Sequence, residues 1–287
     1  MAILSVQSHV AYGHVGNRSS VFPLELLGFD VWPINTVQFS NHAGYPSHKG
    51  EIFSHSHIDL VWSGIKDLGV IGECEAVLSG YLGDASIGHS ILAAVSDVKA
   101  ARPDALYCCD PVMGDYGGGV YVREGIEDFI GNYAIPAADI VTPNQFEAEL
   151  ISGSCIESLD DARKAADAIH EKGPRIVLIT SFQPTASEAG SISIFLSEEG
   201  RSWTVTTPEL PMDPAPNGAG DLTAALFLGQ YLKTRSASSA LELMADSVFS
   251  VFERTKEGGS RELKLVESRD AILSPARRFK AVEVGDA

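Results

Sequence analysis

Positive charge is what this chain has least of. Its 287 residues carry 21 Lys and Arg against 38 Asp and Glu, a formal net charge of −17. Binding to a nucleic acid duplex is therefore not expected, because neutralising phosphates needs a basic face. Cysteine is scarce too, with four residues and no CxxC spacing, which argues against a zinc site or a thioredoxin-type pair. Cys108 and Cys109 end an apolar run and are expected to sit reduced in a strand. No uninterrupted apolar run is long enough to span a membrane. The start, Met-Ala-Ile-Leu-Ser-Val, has neither a basic region nor a long apolar one of the signal-peptide kind. The expectation is a soluble cytoplasmic protein.

Several catalytic signatures are missing as well. There is no GxxxxGK(S/T) loop, no GxGxxG after a strand, no HExxH and no GxSxG. The eight histidines are scattered. His55 and His57 lie in a polar run that reads as a solvated turn. His9, His14 and His42 fall near strand ends, where a structural role is the simpler reading for a lone histidine.

Hydrophobic residues make up 45% of the chain, enough for a large core. Short β-rich apolar runs at 3–6, 31–37, 76–79, 106–109, 140–142 and 176–180 read as buried strands. Helical patterns at 18–27, 87–101, 145–152 and 159–171 separate them, and two late helices are expected at 222–232 and 241–255. The alternation predicts a single α/β domain over residues 1–287, a mainly parallel sheet with helices on both faces. Runs 191–196 and 201–207 flank Ser-Glu-Glu-Gly and predict an antiparallel hairpin. The proline-rich stretch between Thr207 and Pro216 reads as an ordered functional loop.

Ligands of open parallel sheets bind beyond the carboxyl ends of the strands. That address collects Ser8, the Phe39 to Gly44 run, Tyr81, Asp110, Asn144 to Glu147, and Thr180 with Ser181. The stretch Asn217-Gly218-Ala219-Gly220-Asp221 precedes an apolar helix. It suits an anion pocket with a carboxylate at its edge, because glycines let N–H groups approach a phosphate at a helix's positive end. A plain helix start with Asp221 near the cap is the alternative. Asp110-Pro-Val-Met-Gly-Asp115 leads into Gly117, Gly118 and Gly119, either a flap over a ligand or a glycine-rich turn. Asn144 and Glu147, three apart, could hold the water shell of Mg²⁺ or simply cap a helix.

In their order along the chain, these segments resemble the ribokinase-like superfamily, and within it the pyridoxal kinases. The resemblance rests on the opening Ser-Val-Gln-Ser-His-Val-Ala-Tyr-Gly-His-Val-Gly-Asn and on Val-Gln-Phe-Ser-Asn-His at 37–42. It continues through Ser-Gly-Tyr-Leu-Gly at 79–83, Asp-Pro-Val-Met-Gly-Asp at 110–115 and Thr-Pro-Asn-Gln-Phe-Glu at 142–147. Gly-Ala-Gly-Asp at 218–221 completes it.

The resemblance implies ATP-dependent phosphorylation of the 5′-hydroxymethyl group of pyridoxal. Asp221 would be the base, and Gly218, Ala219 and Gly220 the anion hole. Asp110, Thr142, Asn144 and Glu147 would organise Mg²⁺, phosphates and a monovalent cation, commonly K⁺, with Asp110, Thr142 and Glu147 nearest the metal. Ser8, Phe39, His42, Ala43 and Tyr81 would hold the vitamin ring. Asp115 and residues 117–120 would form the flap, Thr180 and Ser181 would lie near the nucleotide phosphates, and Met212 and Phe252 would wall the adenine. A homodimer is also implied. Ala43 and Ala219 stand where many family members carry threonine, and the flap has no cysteine. A hydroxymethylpyrimidine kinase and a weakly active B6-binding protein are the alternative readings.

Overall fold

A computed structural model describes residues 1–183 and 190–285. Twelve strands are present among these residues. β1 (Ala2–Val10), β2 (Asp30–Phe39), β3 (Gly50–Ile52), β4 (Cys74–Ser79) and β5 (Leu106–Cys109) come first, then the short β6 (Gly114–Asp115) and β7 (Gly119–Val120). β8 (Ile140–Val141), β9 (Ile176–Phe182), β10 (Ser191–Glu198), β11 (Arg201–Pro208) and β12 (Val282–Glu283) follow. All but β6 and β7 join one ten-stranded sheet in the order β12-β11-β10-β9-β8-β5-β4-β1-β2-β3. Neighbours from β9 across to β2 run parallel, and the pairings at both outer ends are antiparallel. The expected mainly parallel α/β sheet is what forms.

The parallel strands are buried on both faces, which is why they read as continuous apolar runs. Odd and even residues feed two separate cores. Leu4, Val77, Tyr107, Val141 and Val177 face one core, together with α2 (His55–Asp67), α3 (Ala85–Ala101) and α7 (Leu159–His170). Ile3, Leu78, Cys108, Ile140 and Leu178 face the other, against α1 (Asn17–Leu26), α8 (Ala219–Thr234) and α9 (Ala237–Glu257). This alternation follows from the two-residue period of a strand. Smaller helices complete the fold. They are α4 (Ile126–Phe129) and α5 (Ile135–Ala137), joined through a π-turn, the site helix α6 (Gln145–Ser152), and α10 (Arg269–Leu273).

Three local readings need correction. His55 and His57 are solvated as expected, but they occupy the first turn of α2 and not a loop turn. Ser54 caps it, its Oγ accepting from the His57 N–H at 3.2 Å, and Ile58 and Trp62 bury the helix's apolar side. A polar, histidine-rich opening concealed an amphipathic helix. The strand expected to reach Thr142 ends at Val141. The irregular stretch expected to begin at Pro208 begins one residue later, at Glu209, because β11 runs through Pro208. Cys108 and Cys109 are buried free thiols in β5, as expected. Among the described residues, no helix is long and apolar enough to cross a membrane.

Candidate active site

The carboxyl ends of the parallel strands open into a cleft of about 1190 Å³. Most of the residues singled out from the sequence line it, from Ser8 near the end of β1 to Phe252 on α9; Ser40, Asn41, Gln145, Phe146 and the glycines Gly117 to Gly119 do not. The parallel connectivity puts the polar strand ends on one side of the sheet, and α8 closes the floor.

At that floor, Gly218 caps α8 with φ of 84°. A Cβ there would lie 1.9 Å from the His14 carbonyl oxygen, so glycine is required twice over, by backbone angle and by space. The first-turn N–H groups that follow have no intrahelical acceptor and carry the positive end of the dipole. Leu222 through Leu232 are all buried, which fixes the axis of α8 and the direction of these donors.

A buried polar network reaches the same turn from β1 and α1. The Ser19 hydroxyl donates to the Gly218 carbonyl at 2.9 Å, and the Ser20 hydroxyl to the Asp221 carbonyl at 3.2 Å. Gln7 Nε2 donates to Ser20 Oγ at 3.0 Å and to Ser5 Oγ at 2.9 Å, and Ser5 in turn donates to Asn17 Oδ1 at 2.8 Å. Ser5, Gln7 and Asn17 belong to the opening segment quoted from the sequence but carry no role there, and Ser19 and Ser20 are not singled out. The available signal was a run of polar residues in a strand and helix otherwise fit for the core.

Three carboxylates face this end of the cleft. Burial raises the pKa of Asp221, with the Gly16 N–H pulling the other way. Asp110 is 5% exposed and is raised well above the usual carboxylate range. Burial is the main cause, then the negative charges of Glu147 and Asp221; the Thr142 hydroxyl, donating to Asp110 Oδ1 at 3.2 Å, opposes them.

Burial also pushes Glu147 up, against three backbone donors. Its Oε1 accepts from Met113 at 2.8 Å and Gly114 at 3.4 Å, and its Oε2 from Asn144 at 2.9 Å. The Asn144 side chain accepts from the Glu147 N–H at 2.9 Å and donates to the Gly114 carbonyl at 2.8 Å. The pair is thus a capping box, and it also ties α6 to β6. Among the described residues, no group of three or more His, Cys, Asp or Glu side chains is placed to hold a metal ion.

The stretch expected to form a flap or a glycine-rich turn is a hairpin. β6 and β7 pair across Gly117 and Gly118, and the Asp115 carboxylate accepts the Gly118 N–H at 2.6 Å. Thr180, buried near the end of β9, donates to the Pro143 carbonyl at 3.5 Å, and the neighbouring Ser181 is exposed with φ of 57°. Met212 and Phe252 are half-buried along the same wall, with Ile192, Ile194, Val248 and Phe249 added by β10 and α9. Those four escaped the sequence reading because they look like ordinary core.

Ser8 is buried and lines the cleft together with Phe39 and residues 42–44 of the loop after β2. His42 Nδ1 accepts the Gly44 N–H at 3.1 Å, and burial lowers the pKa of the ring. A neutral imidazole with its proton on Nε2 fits both facts. The Tyr81 carbonyl is held by the Thr36 hydroxyl at 2.7 Å, which leaves the half-buried ring on the cleft wall. Ala43 is exposed at the rim. The cleft therefore holds a group of mixed aromatic and polar side chains, the unpaired N–H groups of a helix start suited to an anion, and three carboxylates.

Comparison with known proteins gives a consistent result. Residues 65–260 match the family described as phosphomethylpyrimidine kinase. A pyridoxal kinase of Granulibacter bethesdensis is 49% identical over 285 residues, covering 98% of this chain and 99% of its own. One from Rubrobacter xylanophilus is 49% identical over 278 residues, covering 96% of this chain and 95% of its own. A solved structure of pyridoxal kinase from Leishmania donovani, in complex with ADP and pyridoxamine, superimposes with a TM-score of 0.92 at 31% identity, covering 99% of both chains. With this fold, this cleft and relatives matched over nearly their whole length, the chain belongs to the pyridoxal kinase family, of ribokinase-like fold.

Proposed function

We propose that this protein transfers the γ-phosphoryl group of ATP to the 5′-hydroxymethyl oxygen of pyridoxal, forming pyridoxal 5′-phosphate and ADP in vitamin B6 salvage. The observation that carries the proposal is Asp221, a carboxylate of raised pKa in the first turn of α8, directly after the Gly218 cap. Asp221 takes the proton of the 5′-hydroxyl as its oxygen attacks phosphorus. The bond from phosphorus to the ADP oxygen breaks in line. N–H groups of the Gly218 to Gly220 turn hold the equatorial oxygens, where preorganised donors act on the charge of the transition state. Ser8, Phe39, His42, Ala43 and Tyr81 hold the pyridine ring. Thr180 and Ser181 lie along the phosphates under the Asp115 flap, with Met212 and Phe252 against adenine.

The donor set suits a hard cation. Asp110, Thr142 and Glu147 offer only oxygen, and the charges acting on Asp110 are both negative. Asp110 would hold Mg²⁺, directly or through its water shell. Thr142 and Glu147 would keep the surrounding loop in place, with K⁺ nearby. When bound, the cation supplies charge neutralisation for the phosphates. Four free thiols fit a reducing, cytoplasmic setting. A homodimer is the expected assembly, and sedimentation at micromolar protein checks it.

The test is Asp221→Asn with pyridoxal and MgATP. Loss of a general base lowers kcat by about 10²–10⁴-fold. An unchanged kcat removes Asp221 from the role of base. A second reading, a hydroxymethylpyrimidine kinase, is favoured by the description of the family matched over residues 65–260. That match takes in Asp110, Glu147 and Asp221 but stops short of Ser8, Phe39 and His42, so it speaks to phosphoryl transfer more than to the ring. Turnover of pyridoxal and of the hydroxymethylpyrimidine, measured side by side, separates the two. Pyridoxal bound but scarcely turned over would instead indicate the B6-binding protein that Ala43 and Ala219 leave open.

A further inference from the structure

Glu262 lies outside every motif, yet it holds together three segments that border the cleft. Its carboxylate is buried, with the residue 9% exposed. Oε2 accepts the His14 N–H at 2.9 Å, and Oε1 accepts the Tyr45 hydroxyl at 2.6 Å. The backbone of Glu262 also forms a parallel bridge with Asn217, the residue before Gly218. The next contact closes the ring, because the His14 carbonyl packs directly on Gly218. Gly13, at φ of 94°, has no room for a Cβ, since Glu262 Oε2 occupies that space.

Arg261 backs the same loop. Its Nη2 donates to the Gly44 carbonyl at 2.8 Å, and its guanidinium lies 4.2 Å from the centre of the Tyr45 ring. His42, Ala43 and Gly44, just before Tyr45, line the vitamin end of the cleft.

We infer that Glu262 is a positioning residue, acting through Tyr45 to fix the vitamin-facing loop at residues 40–49 relative to the anion hole. The inference rests on the reading of this cleft as a pyridoxal kinase site. The loop's own bonds are neutral. Ser40 and Lys49 close its base, the Ser40 N–H donating to the Lys49 carbonyl at 2.7 Å and the Lys49 N–H to Ser40 Oγ at 3.0 Å, while the Tyr12 N–H donates to the Ser40 carbonyl at 2.8 Å. Further out, the Gly44 N–H donates to His42 Nδ1 at 3.1 Å, the Tyr45 N–H reaches the His42 carbonyl at 3.2 Å, and the Asn41 side chain reaches the carbonyls of His42 and Ser47. A phenol donating to a carboxylate is a charge-assisted bond and outweighs any one of these neutral contacts. Burial and the carboxylate raise the pKa of Tyr45 to about 12, the bond to Glu262 being the largest cause, so the phenol remains a donor throughout the working range.

Tyr45→Phe removes one bond and keeps the ring under Arg261. The expected result is a KM for pyridoxal raised about tenfold, the worth of one hydrogen bond to a charged group, with kcat and the KM for ATP within about twofold. Glu262→Gln is expected to raise the same KM. The double variant should be no worse than Glu262→Gln alone, because both changes act on one bond. Hydrogen exchange of the backbone amides at 40–45 should quicken by about the same factor in Tyr45→Phe, with Tm lowered by about 3–6 °C. An unaltered KM for pyridoxal in an active Tyr45→Phe enzyme overturns the inference, as do independent, multiplying effects of the two changes. The exchange measurement does not depend on turnover. If the wild type fails to phosphorylate pyridoxal, the functional reading falls, and unaltered exchange in Tyr45→Phe separately sinks the positioning role.

Discussion

Asp110 shows what the site costs the fold. Burial and two neighbouring negative charges raise its pKa far above that of an exposed carboxylate. A group whose folded pKa exceeds its unfolded value, here 3.8, destabilises the folded state wherever it is ionised. The cost is fully present above the folded pKa, and it shrinks as pH falls through that value towards the unfolded one. Asp110→Asn keeps an acceptor for the Thr142 hydroxyl and removes the charge. It is expected to abolish activity yet raise Tm at about pH 7.5 by about 2–4 °C for each 1 kcal/mol of relief. The difference from wild type should narrow towards about pH 4, where both side chains are neutral. Calorimetry at several pH values checks this; a lower Tm at neutral pH would show that the Asp110 charge is already compensated. Asp221 shares the direction of shift, so the acid limb of kcat/KM should lie above the range of ordinary carboxylates.

The first turn of α8 is the element on which geometry bears hardest. Its donors point correctly only while Gly218 sits against the His14 carbonyl at φ of 84°. Gly218→Ala forces a Cβ into that contact and into a strained backbone angle. It is expected to cost about 1–3 kcal/mol of stability, read as a lower urea midpoint. A helix start displaced by about 1 Å should also cost about 100-fold in kcat, and the KM for pyridoxal should rise too, because the Cβ presses on His14, which Glu262 links to the loop at Tyr45. The elements themselves were legible to different degrees, for physical reasons. The parallel strands stood out because burial on both faces leaves unbroken apolar runs, and α6 matched its expected span because Asn144 and Glu147 mark its start. β3 and β12, with three residues and two, are too short to show a period. α2 was hidden behind His55 and His57. The site was legible where residues follow strand ends, since topology alone gathers those into one cleft. Glu262 was not, because its partner His14 lies 248 positions away and no local pattern announces such a contact.

For the molecule as a whole, charge poses a problem that the cleft must solve locally. A chain with net charge −17 has to admit ATP, itself strongly anionic. Long-range electrostatics therefore oppose the encounter, and only the short-range donors of the α8 turn and a bound cation reverse the sign at contact. Repulsion acting across the surface is screened by salt with a Debye length of roughly 10 Å at 0.1 M, while interactions inside a half-enclosed cleft are screened much less. Raising ionic strength should therefore help this enzyme bind its nucleotide, the reverse of what a basic nucleotide-binding surface shows. Between roughly 10 and 150 mM of a bulky inert salt such as tetramethylammonium chloride, at fixed K⁺ and saturating Mg²⁺, the KM for ATP is expected to fall about two- to fivefold. The KM for pyridoxal, which carries little net charge near neutrality, should stay flat, and so should kcat. A KM for ATP that rises with salt would mean that a local positive field governs nucleotide entry. Attention would then shift from the charge of the whole molecule to Arg and Lys side chains near the cleft mouth.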